Sequence, residues 1–125
     1  MIGYATLGTR DIHRAVAFFD ALLVLMEAKV FMEEPGKFKA WEGKDGGTGF
    51  GVLYPFDGQP ASVGNGSMLA LACRDPAHVD AVHAKALALG GADEGAPGDR
   101  GGGFYAAYFR DLDGNKFNAF CMVGG

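Results

Sequence analysis

Apolar positions recur along this chain with two different periods, and the places where the period changes mark its elements. From Asp11 onward, Ala15, Phe18, Phe19, Leu22, Leu23 and Met26 each have partners three or four residues away, which predicts a helix with one buried stripe. A second stripe runs through Val79, Val82, Ala86 and Leu89 and ends at Gly90-Gly91, a helix-terminating pair. Asp11 and Asp75 stand where a side chain accepts the free N–H groups of a first turn, and Pro76 suits the first helical position. Elsewhere the pattern shortens towards strict alternation. "KFKAWEG" and "TGFGVLYP" read as strands joined by the turn-rich "KDGG". "GFYAAYFRD" and "NKFNAFCM" read as a second pair, joined through Asp113-Gly114, a strong hairpin signal.

The two halves rhyme. Setting "YATLGTRDIHRAVAFFDALL" from Tyr4 above "MLALACRDPAHVDAVHAKAL" from Met68, an offset of 64 residues, puts Leu7 on Leu71 and Arg10-Asp11 on Arg74-Asp75. Ala17 then falls on Ala81 and Leu23 on Leu87. With a weakly signalled strand near residues 28–32, each half reads β-α-β-β-β, an α+β architecture. The expected modules are about 1–58 and 66–125 of a single domain, joined by the Pro/Gly-rich "PFDGQPASVGNGS". A lone module leaves one sheet face bare, so two are expected to pair and bury it.

Composition narrows the partners. The chain has 125 residues, 49% of them hydrophobic and 12% aromatic, enough for a core of ordinary domain size. A formal charge of -4 argues against nucleic acid or an anionic membrane as the main partner. No apolar run reaches the roughly 18 residues of a membrane span, and Met1 leads directly into strand-like sequence. Cys73 and Cys121 form no CxxC pair and read as buried, reduced thiols of a cytoplasmic protein.

A tandem β-α-β-β-β repeat with a Leu-x-x-Arg-Asp strand-to-helix corner and a closing "YFRDLDGNKFNAF" hairpin resembles the vicinal oxygen chelate superfamily. That group includes glyoxalase I, bleomycin-resistance proteins, fosfomycin-resistance enzymes and extradiol dioxygenases. The resemblance covers nearly the whole chain. It implies a cup-shaped mixed sheet with helices outside and the ligand inside, and commonly a homodimer. It also implies four metal-ligand positions filled by His or Glu. Carried onto this chain, they fall on Tyr4, on a residue near Phe50 or Gly51, on Met68 and on Asn118.

None of those side chains suits a transition metal, which seeks imidazole, thiolate or carboxylate donors. Asn118 offers a weak amide oxygen, Met68 a thioether and Tyr4 a phenol. The three histidines, His13, His78 and His83, all fall on predicted helices and are expected on solvated helix surfaces. Asp111 and Asp113 read as turn residues that accept backbone N–H groups. Arg10 and Arg74 are expected to pin the strand-to-helix corners. "GAPGDRGGGF" lacks the strand-to-helix context of a phosphate loop, and is expected as a flexible loop carrying Arg100 over the cup.

Period-two alternation assigns faces. Ala5, Leu7 and Thr9 turn towards the helix, leaving Tyr4, Thr6 and Gly8 on the cup side. Phe117, Ala119 and Cys121 pack under the other helix, leaving Asn118 and Phe120 on the cup side with Ala106 and Tyr108 beside them. The expected ligand-binding set is therefore Tyr4, Thr6, Trp41, Tyr54, Met68, Tyr108 and Asn118, with no metal and no cofactor. Aromatic rings with a few hydrogen-bonding groups are the usual make-up of a small-molecule site. The expected function is metal-independent binding of a small organic molecule. The alternative is a lyase of the lactoylglutathione lyase kind, or another superfamily enzyme with a departed metal site; no catalytic residue is assigned.

Overall fold

Both helices begin where an aspartate can cap them. A computed structural model of the chain describes residues 1–124; Gly125, which closes the second expected module, lies outside the described residues. Asp11 has extended backbone and its Oδ1 accepts the Arg14 N–H at 3.1 Å, opening α1 (Ile12–Leu22). Asp75 does the same for the His78 N–H at 2.8 Å, opening α2 (Pro76–Ala88) with Pro76 in its first turn. The predicted stripe of α1 continues past its end as a 3-10 turn, Leu23–Met26, closed by Glu27 at φ 55°. α2 ends as expected, with Gly90 at φ 101° and the Gly91 N–H returning to the Ala86 carbonyl at 2.9 Å.

The chain divides into two compact units, Met1–Val63 and Gly64–Gly125. The first holds β1 (Tyr4–Gly8), β2 (Lys29–Glu34), β3 (Phe38–Glu42) and β4 (Gly49–Leu53) in the order β1-β4-β3-β2. The second holds β5 (Leu69–Ala72), β6 (Ala92–Asp99), β7 (Phe104–Arg110) and β8 (Lys116–Met122) in the order β5-β8-β7-β6. In each sheet the first strand runs parallel to the last and the other pairings are antiparallel. The same topology twice is the β-α-β-β-β repeat that the 64-residue offset predicts.

Each helix covers one face of its own sheet. In the first unit Phe19 meets Phe50 edge-on at 5.2 Å and Trp41 at 5.7 Å, and Ile12, Ala15 and Leu22 are buried with them. In the second, Phe109 and Phe117 stack at 5.4 Å, and α2 packs on β6, β7 and β8 with Val79, Val82 and Ala86 inward. Burial of such side chains, each contributing about 1.5–3 kcal/mol, is the main force holding each layer pair together.

Three expectations need correction. His78 and His83 are buried, at 6% exposure each, because both point under α2. His78 Nδ1 accepts the Arg74 N–H at 3.1 Å, and His83 Nε2 donates to Asp93 of β6 at 3.1 Å. His13 alone is exposed as expected. Second, half of the expected "GAPGDRGGGF" loop belongs to β6, which pairs with β7 through two register shifts. Third, Arg100 does not swing freely, since its guanidinium donates to the Gly98 and Ala96 carbonyls at 2.9 and 2.6 Å. The segment after β4 also docks on its own unit: Ala61 is buried, and its carbonyl accepts Arg10 Nε at 3.1 Å.

Candidate ligand site

In each unit the sheet face turned away from the helix carries the candidate residues, and the hairpin at the end of β7 sets one of these faces. Asp111 is 5% exposed, and its Oδ1 accepts the backbone N–H groups of Asp113 and Asn115, each at 2.9 Å. Its Oδ2 accepts Asn115 Nδ2 at 2.9 Å. Burial pushes the Asp111 carboxyl above its ordinary value, while the Asn115 and Asp113 donors pull the other way. Asp111 acts as a turn former, as expected, in the hairpin whose register sets Tyr108 opposite Asn118.

Tyr105 defines which face is which. Its hydroxyl donates to Asp80 of α2 at 2.7 Å, so Ala107 and Phe109 share the helix side and Phe104, Ala106, Tyr108 and Arg110 take the other. On β8 the same alternation puts Lys116, Asn118 and Phe120 on the open face, and on β5 it puts Ala70 there, opposite Asn118. Met68, one residue before β5, shares the face of Ala70 and is 40% exposed.

Asn118 is only 2% exposed, and its Oδ1 is buried without a hydrogen-bond partner among the described residues. Neither cross-strand neighbour, Ala70 or Tyr108, donates to it. Leaving such an acceptor unpaired costs about 1–3 kcal/mol, which a purely structural position would avoid. Two cations lie against the neighbouring ring: Arg100 Cζ is 5.5 Å and Lys116 Nζ 5.4 Å from the Tyr108 centroid. Arg110 is engaged, its guanidinium bonded to Glu94 and to the Gly114 carbonyl.

The open face of the first unit carries Tyr4 and Thr6, both exposed as the alternation predicts. Gly8, expected beside them, lies under the segment after β4, since a Cβ there would stand 2.9 Å from Ala61 Cβ. Opposite Thr6 is Gly51, and opposite Gly51 is Ala40, so the middle of this face has almost no side chain. Phe50 packs under α1, so Gly51 is the open-face residue of that pair. Tyr4 and Phe31 sit on the two outer strands, roughly 14 Å apart at the usual strand spacing. Their ring centroids nonetheless approach to 6.2 Å, leaning towards each other across the glycine-rich floor. Phe31 is the residue left over where the β2–β3 register shifts, and the bulge turns it into this face.

Two expected ligand residues are placed elsewhere. Trp41 pairs with Phe50 across β3 and β4 and therefore shares the helix side, with Nε1 donating to Asp20 of α1 at 3.0 Å. Tyr54 follows β4, and its hydroxyl accepts the Ile12 N–H at 3.2 Å, serving the start of α1. Of the expected set, Tyr4 and Thr6 share the open face of the first unit, and Met68, Tyr108 and Asn118 share that of the second. Lys116 and Phe31 were not among the expected residues. Lys116 was within reach of sequence reasoning, lying two residues before Asn118 on an alternating strand; the bulge that exposes Phe31 has no such signal.

The metal positions implied by the resemblance thus hold Tyr4, Gly51, Met68 and Asn118. A phenol, a glycine, a thioether and an amide do not fit a divalent transition metal. Among the described residues no group of three or more His, Cys, Asp or Glu side chains is placed to hold one.

The model of the Glyoxalase/Bleomycin resistance protein/Dioxygenase superfamily matches residues 1–119. The chain belongs to that superfamily. A glyoxalase/bleomycin resistance protein from Albidiferax ferrireducens T118 superposes with a TM-score of 0.86 at 34% identity, over 98% of this chain and 99% of its own. Lactoylglutathione lyase from Agrobacterium tumefaciens shares the fold with a TM-score of 0.69 at 20% identity, covering 97% of this chain and 92% of its own. The fosfomycin resistance protein FosX from Listeria monocytogenes does so at 0.71 and 17% identity, covering 100% of this chain and 93% of its own. At those identities the last two are similar in fold alone. No curated protein matches the chain.

Proposed function

We propose that this superfamily member binds a small organic molecule on an open sheet face, without a metal at the superfamily's ligand positions. The observation that carries the reading is the buried, unpartnered Oδ1 of Asn118 next to the Tyr108 ring. On the second unit the proposed ligand contacts are Met68, Tyr108 and Asn118, and on the first, taken by itself, Tyr4 and Thr6. A thermal-shift screen of neutral and charged small molecules, followed by calorimetry, tests it. A hit weakened by Tyr4→Ala or by Asn118→Ala supports the assignment, and a hit indifferent to both removes these residues from the site.

The lyase alternative needs a charge-stabilising metal and a base for the proton. This chain has a phenol, a glycine, a thioether and an amide at those positions, so no step is assigned through a metal. Turnover of methylglyoxal with glutathione, or a stoichiometric metal surviving dialysis, would reverse the preference. We extend the proposal to a homodimer in the cytoplasm. β2 is an edge strand exposed at all six positions, with Val30, Phe31 and Met32 among them, and Cys73 and Cys121 are free thiols.

A further inference from the structure

The open face of the second unit carries more information about its ligand than polarity alone. Asn118 Oδ1 is a buried acceptor lacking a donor, so its partner must bring an O–H or N–H. Lys116 stands two residues earlier on β8, roughly 7 Å along the strand, on the same face. Its Nζ rests against the Tyr108 ring and makes no ion pair among the described residues. Arg100 rests against the same ring and donates its hydrogen bonds to carbonyls of its own segment, with no ion pair among the described residues. Glu94 is bonded by Arg110 and also feels the Lys116 charge, so two cations face this one carboxylate. In a chain of net charge -4, this is a local concentration of positive charge around one buried acceptor. Phe104 and Phe120, with ring centroids 5.7 Å apart, add an apolar surface on the same face.

We infer that the ligand of this face is a small organic anion, its carboxylate or phosphoryl group held by Lys116 and Arg100, that also donates a hydroxyl or amino hydrogen to Asn118 Oδ1. An aromatic or other apolar body would lie over Phe104 and Phe120. Lysine and arginine beside a low-dielectric surface hold such an anion more firmly than they would in open water. The spacing between Lys116 and Asn118 fits a charge and a donor separated by only a few bonds, as in a 2-hydroxy or 2-amino acid. This inference rests on the proposed small-molecule function and specifies its ligand.

Three related probes test it by calorimetry at neutral pH and low salt. Mandelate carries the charge, the hydroxyl and the ring; mandelamide lacks the charge; phenylacetate lacks the hydroxyl. Mandelate is expected to bind at least about tenfold more tightly than either. The advantage over mandelamide should collapse in Lys116→Gln, and the advantage over phenylacetate in Asn118→Leu, with thermal melts confirming that both variants fold. Equal binding of mandelate and mandelamide, or no binding of mandelate, overturns the inference. A neutral library hit that depends on Asn118, found alongside either of those results, would leave the small-molecule function standing while this inference fails. No Asn118-dependent hit of any charge would defeat both.

Discussion

Asn118 is where local stability and the proposed function pull apart. An unpaired buried amide oxygen is a standing cost, so Asn118→Leu should stabilise the protein by about 1–3 kcal/mol and raise its melting temperature by several degrees. The same change should abolish Asn118-dependent binding. A variant that melts lower than the parent would mean that the amide makes a compensating contact. Cys73 offers a second residue-scale test. Burial, with Cys121 nearby, pushes its thiol from 9.0 up to about 11. The folded state therefore keeps this proton where the unfolded chain has lost it, so stability should fall as pH rises from about 9 towards 11. Denaturant midpoints measured across that range check the sign; a midpoint that climbs contradicts it. At pH 8 a thiol reagent should label the native protein more slowly than the unfolded chain.

At the scale of elements, the caps are the cheapest devices to break. Asp75→Ala removes the acceptor for the His78 N–H and should cost about 1 kcal/mol, read as a lower denaturant midpoint with unchanged slope. Asp75→Asn, which keeps a cap acceptor, should recover most of it. α2 was legible in the sequence because cap, stripe and glycine stop coincide there, and α1 because cap and stripe do, its end at Glu27 carrying no glycine. β6 was not, because "ADEGAPGD" has no alternation and two register shifts. Its glycines make sense only beside β7, where a Cβ on Gly95 would stand 3.1 Å from Tyr108 Cδ1. Trp41 shows a different limit. In "FKAWE" the large rings are three apart, so they must face opposite ways, but only the pairing with Phe50 decides which one lies under α1. His83 escaped for a related reason: helical spacing places it, while the partner that admits it, Asp93, lies on a strand that the pattern did not reveal.

At the scale of the whole chain, the repeat explains both what was legible and what the sheets leave unused. One β-α-β-β-β pattern, written twice at a fixed offset, gives two sheets of the same strand order, each with one helix-covered face. Each sheet then has two edges, and β2 is the one whose residues are exposed at all six positions. Exposed edges that carry apolar side chains favour pairing with another strand, and soluble proteins commonly block this with a lysine. On β2 the charges stand at the ends, Lys29, Glu33 and Glu34, leaving Val30-Phe31-Met32 as an apolar centre, and Val30, at 49% exposure, has no core role that a lysine would disrupt. If the proposed homodimer forms along this edge, sedimentation of the parent chain should show a dimer at micromolar concentration, and Val30→Lys should shift it to monomer with its circular dichroism unchanged. A parent chain that sediments as a monomer throughout the micromolar range would end the dimer proposal. A Val30→Lys variant that remains dimeric would move the interface away from β2.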